Sequence, residues 1–220
     1  MTTVNLSVAT LQILKNFATI NQSIVINKGN TLRTISNAEN ILAIAIVEEK
    51  FPRNFAIYDL NQFIAGLSLF AEPSLVFDNE DYVTIKNNRS RVKYYFSDPE
   101  ITLKTAPNKK VNYPGSDIQF ALSTDDISSI QKARSIYNIP DLTITTKEEI
   151  VLSVRDNESE TSNTYDLIVS GTFQGEHSLN LKVENMRLLQ GDYNVGVSKH
   201  FITEWKHFNR DLTYYIAMEP

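Results

Sequence analysis

Two stretches of this chain, 116 residues apart, carry the same pattern. Residues 6–21 read LSVATLQILKNFATIN and residues 122–138 read LSTDDISSIQKARSIYN, aligning Leu6 with Leu122, Ser7 with Ser123, Leu11 with Ile127 and Leu14 with Ile130. In both, a serine precedes an apolar pattern of helical period, where its hydroxyl can cap free backbone N–H groups. Asp126 stands three residues after Ser123, the spacing of a capping box. Each copy therefore predicts a short strand followed by an amphipathic helix with one buried stripe.

The repeat continues. Residues 58–70, YDLNQFIAGLSLF, predict a second helix, and residues 183–189, VENMRLL, answer them at a shift of 125. Three strand-like runs follow each: 75–77, 82–86 and 91–96 in the first half, and 193–197, 201–205 and 212–218 in the second. The last runs share a tyrosine pair, Tyr94-Tyr95 and Tyr214-Tyr215, at a shift of 120. Three likenesses in one order describe a duplicated domain with small loop changes. The expected boundaries are 1–100 and 118–220, joined by a linker over 101–117. The surrounding SDPEITLKTAPNKKVNYPGSD holds three of the seven prolines, which favour extended, exposed chain.

Between these landmarks, the reading is rich in strands. Residues 23–27 and 31–36 predict a hairpin around Lys28-Gly29-Asn30, and 41–47 predict a strand buried on both faces or lying against a helix. Residues 48–53 read as a loop. In the second half 140–146 and 149–156 pair, 163–170 form a further strand, and 171–177 form a glycine-containing turn. The fold class is α+β: two similar domains, each with two helices on antiparallel sheet.

Chemistry is sparse. There is no cysteine, no phosphate-binding glycine loop and no nucleophile motif, so catalysis is not expected. His200, Glu204 and His207 have a spacing reminiscent of metal ligands, but in an alternating strand His207 faces away from the other two, and no metal or cofactor is expected. No secretory leader or membrane-spanning run is apparent. Net charge is −5, divided as 10 basic and 10 acidic residues over 1–105 against 11 and 16 over 106–220. Any contact with DNA must then come from basic residues gathered on one surface. On the helical wheels Lys132 points to solvent, Lys15 lies on the flank of its stripe, and Arg134 is nearer the apolar edge. Arg187 follows Met186 on the expected fourth helix. Taken singly, each is an ordinary surface charge.

The segments LKNFATIN (14–21), AIYDLNQF (56–63), APNKKVNYP (106–114) and NMRLLQGDY (185–193) resemble the sliding clamps of T-even-type bacteriophages, the DNA polymerase processivity factors. The likeness runs in order through nearly the whole chain. It implies a closed ring of three subunits, a homotrimer, with helices lining a central hole and sheet outside. Lys15, Lys132, Arg134 and Arg187 would then face double-stranded DNA without reading sequence. The helix over 58–70 carries no basic residue, so the lining would be thin. Val92, Tyr94 and Phe96 of one subunit would meet Tyr165, Leu167 and Val169 of the next. Partner peptides would enter an apolar pocket formed by Val111, Tyr113, Pro114, Ala217, Met218 and Pro220. The implied partners are the DNA polymerase, a clamp loader and late-transcription factors, in the cytoplasm of an infected bacterial host. A β-rich two-domain structural or virion protein is the alternative.

Overall fold

The computed structural model describes residues 2–98 and 104–219. The chain divides into two compact units, Met1–Asn108 and Lys109–Pro220, each with its own core.

In the first unit β1 (Thr2–Asn5) leads into α1 (Val8–Ile20), capped by the Ser7 hydroxyl, which accepts from the Thr10 N–H at 3.2 Å. Strands β2 (Ile24–Ile26), β3 (Gly29–Ile35), β4 (Ile41–Phe51) and β5 (Phe55–Ile57) follow, then α2 (Leu60–Leu67) with Asp59 as its cap. The closing strands are β6 (Ser74–Phe77), β7 (Tyr82–Lys86) and β8 (Arg91–Tyr95). The opening strand crosses back to pair with the first of them, giving an antiparallel sheet in the order β1-β6-β7-β8. Leu14 and Phe17 of α1 and Leu60 and Phe63 of α2 are buried, as are Val83 and Ile85 of β7.

The second unit repeats that plan. It opens with β9 (Ile118–Leu122) and α3 (Thr124–Tyr137), where Ser123 and Asp126 form the capping box. Asn138 closes α3 in the left-handed conformation, with φ of 52°. Strands β10 (Asp141–Thr146), β11 (Ile150–Arg155), β12 (Tyr165–Val169) and β14 (His177–Lys182) make one antiparallel sheet, in the order β12-β11-β10-β14. The short β13 (Gly171–Phe173) pairs with β9, which pairs with β15 (Tyr193–Ser198). From there β16 (Ile202–His207) and β17 (Leu212–Ala217) complete the run. Thus β9 meets β15 as β1 meets β6, and the two tyrosine pairs fall in the last strand of each unit, β8 and β17. Tyr193, Trp205, Tyr214 and Ile216 form the centre of this core.

The structure corrects four expectations. The fourth helix is reduced to a single 3-10 turn, Val183–Asn185, whose N-cap position Lys182 makes no capping hydrogen bond with its side chain. A seven-residue stretch without a cap cannot offset the cost of helix nucleation. Its peptide groups go elsewhere: Tyr214 Oη accepts the Leu189 N–H at 3.0 Å, and Tyr193 Oη donates to the Leu189 carbonyl at 2.6 Å.

The hairpin about Lys28-Gly29-Asn30 does not form. β2 pairs with β5 and β3 with β4, while Gly29 supplies a φ of 120° at the bend. The turn that does close a hairpin is 36–40, where Ser36 Oγ accepts from the N–H groups of Asn40 and Ile41.

β4 continues through the expected loop as far as the buried Phe51, and of its two expected settings it takes the second: it alternates along its length, with one face covered and α1 against it. Finally, residues 171–173 are strand. A Cβ on Gly171 would lie 2.2 Å from the Gln119 carbonyl oxygen, so only glycine permits this close pairing.

Candidate nucleic-acid and subunit interfaces

The solvent faces of the three helices carry few charges. On α1 the exposed positions include Val8, Ala9, Gln12, Lys15 and Thr19, so Lys15 is the cation of that face. On α2 they are Asn61, Gln62 and Ala65, without charge. On α3 Asp125, Gln131, Lys132 and Ser135 are exposed. Neither Lys15 nor Lys132 joins an ion pair among the described residues. Arg134 is half-buried, with Nη2 3.6 Å from the Glu184 carboxylate. Arg187 stands beyond the 3-10 turn and not on a helix. Its Nε donates to the Glu184 carbonyl at 3.3 Å. Glu184 thus stands beside both arginines, its carboxylate against Arg134 and its backbone carbonyl against Arg187, a feature that the helical wheels do not reveal.

The N-terminus of each helix is already closed by a carboxylate. Glu49 of β4 accepts the Ser7 N–H and the Thr10 hydroxyl. Asp59 accepts the Gln62 N–H at 2.9 Å. Asp192 accepts the Thr124 N–H at 2.7 Å, beside the capping box. Burial raises the Glu49 carboxyl, but the hydrogen bonds from Thr10 and Ser7 outweigh it and hold the group below its ordinary value. The Thr124 N–H and hydroxyl likewise lower Asp192. Helix N-termini attract anions; here internal carboxylates fill those positions. Nothing in the sequence marked Glu49, because residues 48–53 read as a loop.

Among the strands that end their sheets are β8 in the first unit and β12 in the second. On β8, Val92 and Tyr94 turn inward while Arg91, Lys93 and Tyr95 are exposed. The Tyr94 ring lies edge-on to Phe63 at 5.1 Å and its hydroxyl donates to the Asp59 carbonyl. Phe96 packs on Phe55 at 5.2 Å. On β12, Tyr165, Leu167 and Val169 are half-buried, and Asp166 and Ile168 are exposed.

Among the expected pocket residues, Val111 and Tyr113 are half-buried, Pro114 and Ala217 are exposed, and Pro220 lies outside the described residues. Met218 is buried, and its N–H donates to the Phe201 carbonyl at 2.9 Å. The Tyr113 ring is 6.0 Å from Tyr215 and its hydroxyl 3.0 Å from Ser116 Oγ. Phe201, 40% exposed with φ of 59°, adjoins Met218 and escaped the sequence reading because nothing in the pattern around it signals a site. His200, Glu204 and His207 do not converge. His200 is on a turn, Glu204 takes the Tyr215 hydroxyl and Lys206, and His207 packs on Tyr193.

Comparison with known proteins bears on the family and the fold. The profile of the DNA polymerase processivity factor family matches residues 7–102. The sliding clamp of Vibrio phage KVP40 is 28% identical over 221 residues, covering 97% of this chain and 98% of that protein. The sliding clamp of Enterobacteria phage T4 is 29% identical over 197 residues, covering 86% and 85%. Among solved structures, the Proliferating Cellular Nuclear Antigen of Entamoeba histolytica superposes with a TM-score of 0.74 at 12% identity, covering 99% of this chain and 98% of that one. The A. fulgidus PCNA bound to the C-terminal region of FEN-1 gives 0.74 at 12% identity, covering 100% and 99%.

Proposed function

Because the chain belongs to the DNA polymerase processivity factors, the sliding clamps, we propose that it closes as a homotrimer around double-stranded DNA and tethers the replicative polymerase. The observation that carries this reading is the end-to-end match to sliding clamps, 97% of this chain on 98% of the KVP40 protein, over a duplicated fold. The protein performs no catalysis of its own. It acts in the cytoplasm of the infected bacterial host, with a clamp loader, the polymerase and late-transcription factors as partners.

The proposed domains are 1–100 and 118–220, with 101–117 as the linker. Lys15, Lys132, Arg134 and Arg187 are the proposed DNA-facing residues. The exposure of Lys15 and Lys132 supports them most directly, while Arg134 and Arg187 share Glu184. Val111, Tyr113, Pro114, Ala217, Met218 and Pro220 are the proposed partner-peptide site, and the exposed Ala217 and Pro114 give a peptide somewhere to rest. The seam joins the Val92, Tyr94 and Phe96 strand of one subunit to the Tyr165, Leu167 and Val169 strand of the next.

Such a ring holds DNA by topology. Few cations reach the duplex at once, so direct affinity is low and indifferent to sequence. The test is retention at high salt after loading onto a nicked circle. The circular complex survives, and linearising the DNA releases the protein. Equal retention on both forms overturns the reading. Light scattering should give three times the 25.0 kDa of the chain.

A further inference from the structure

The duplication copied a cleft, and its two copies differ. With Leu6 aligned on Leu122, Val8 answers Thr124. Extending the register Asn5↔Ser74 by one place sets Leu6 against Pro73, as Leu122 is set against Tyr193, so Glu72 answers Asp192. In the second unit this pair closes on itself. The Thr124 N–H and hydroxyl both donate to the Asp192 carboxylate, at 2.7 and 3.0 Å. The cleft that remains between α3 and residues 188–191 is about 320 Å³. In the first unit Val8 has no hydroxyl to offer, and the exposed Glu72 makes no such bond among the described residues. The groove between the start of α1 and the loop from α2 to β6 is correspondingly about 1040 Å³.

The lining decides what fits. Leu6, Val8 and Leu11 contribute apolar surface, and so do Ala71 and Pro73. Val8 is 72% exposed, and Leu69 in the same loop is 71% exposed. Apolar side chains gathered at one exposed place favour a partner that covers them. Lys86 and Arg89, from the β7–β8 turn, also line the groove, against the single acid Glu72. Neither cation forms an ion pair among the described residues. Lys86 stands directly opposite Arg91 in the ladder, a like-charge pair that a ligand carboxylate would relieve. The smaller cleft of the second unit has the other sign: among the described residues its lining holds Asp125 and no base.

We propose that the groove of the first unit is a further docking site, for a short partner segment in which bulky apolar residues are flanked by acids. The apolar residues settle on Val8, Leu11 and Pro73, and the acids meet Lys86 and Arg89. Duplex DNA suits the groove less, because a phosphate backbone would use the two cations and leave the five apolar residues uncovered. The site uses none of the residues assigned above to the ring seam, the DNA-facing set or the partner-peptide pocket, so its failure would leave the proposed function standing.

The test is fluorescence anisotropy of a labelled peptide, Glu-Asp-Leu-Phe-Glu-Asp, with the full chain at about 50 mM salt. The expected dissociation constant is about 10 to 300 μM. Val8→Asp, or Lys86→Glu with Arg89→Glu, should weaken binding at least about tenfold with the circular-dichroism spectrum unchanged. Val8→Thr with Glu72→Asp, which copies the closing pair of the second unit, should do the same while keeping both cations. A peptide with serine in place of leucine and phenylalanine should also bind at least about tenfold more weakly. Hydrogen exchange with the peptide bound should slow the amides of residues 69–72 and 87–90. Absence of binding up to about 1 mM overturns the proposal. So does protection of residues 111–113 and 217–219 instead, which would place the peptide in the other pocket. Full binding by the serine peptide, or binding that both Val8 variants leave intact, also overturns it. Duplex DNA whose affinity falls with Lys86→Glu and Arg89→Glu, while the peptide is unaffected, would make the two cations phosphate contacts and defeat the docking site.

Discussion

His207 illustrates how much of this protein is decided atom by atom. Its Nδ1 accepts the Asn209 N–H at 3.0 Å, so in the neutral ring the proton sits on Nε2, which faces the Gln190 carbonyl at 3.4 Å. Burial lowers its pKa and Arg210 lowers it further, against the raising effects of Gln190 and Asp192. A lowered folded value means that the neutral ring stabilises the fold. That stability is complete above the ordinary 6.5 and is lost as pH falls toward the lowered value. Urea unfolding should show a loss of about 1 kcal/mol, the size of one hydrogen bond, between pH about 7.5 and 5.5. His207→Gln should abolish that limb of the profile, and an unchanged limb would assign the titration to another group. The paired tyrosines act at the same scale. Tyr94 Oη donates to the Asp59 carbonyl and Tyr214 Oη accepts from the Leu189 N–H, so each unit uses its first tyrosine to secure the segment of the second helix or its remnant. The pair was legible in the sequence as a repeat, but the atoms it grips were not.

Among the elements, the helices owe their ends to residues both near and far. Ser7, Asp59 and Ser123 are local caps and were readable as such, with Asp126 completing the box. Glu49 reaches α1 from β4, 42 residues away from Ser7, and no local pattern announces it. Its lowered pKa means that its contribution is present above the ordinary 4.5 and is lost as pH falls below it. Glu49→Gln should therefore cost about 1 kcal/mol at neutral pH, as for loss of a helix cap, and should remove part of the acid limb of the stability curve. A variant as stable as wild type would mean that Ser7 alone suffices. The reduction of 183–189 to one 3-10 turn belongs to the same scale. An apolar period was present, but no cap was, and two tyrosine hydroxyls claimed the peptide groups that a helix would have used.

Across the whole molecule, charge is what separates holding DNA from binding it. A chain of net charge −5 repels the duplex except where cations stand alone, and Lys15 and Lys132 are exposed without ion pairs among the described residues. Carboxylates already occupy the helix N-termini, so no fixed phosphate cradle competes with sliding. Fluorescence anisotropy on linear duplex should give weak binding whose logarithm falls with log salt at a slope between about −2 and −4, since each neutralised phosphate contributes about −0.9. Lys15→Glu with Lys132→Glu should flatten that slope without changing the trimer mass. An unchanged slope would move the DNA contacts to other cations.

The sequence by itself determined the duplication, the two opening helices with their serine caps, α2, the closing strands and the tyrosine pairs. All of these rest on period and on contacts within a few residues, which a linear reading can count. Only the tertiary structure decided that β2 takes β5 and leaves β3 to β4, that β4 runs on to Phe51 and brings Glu49 beneath α1, and that Glu184 stands against both Arg134 and Arg187. These outcomes depend on which strand edge or backbone group is free when distant segments meet. The competition is settled by burial and hydrogen bonding across the fold, not by any residue's neighbours in the chain.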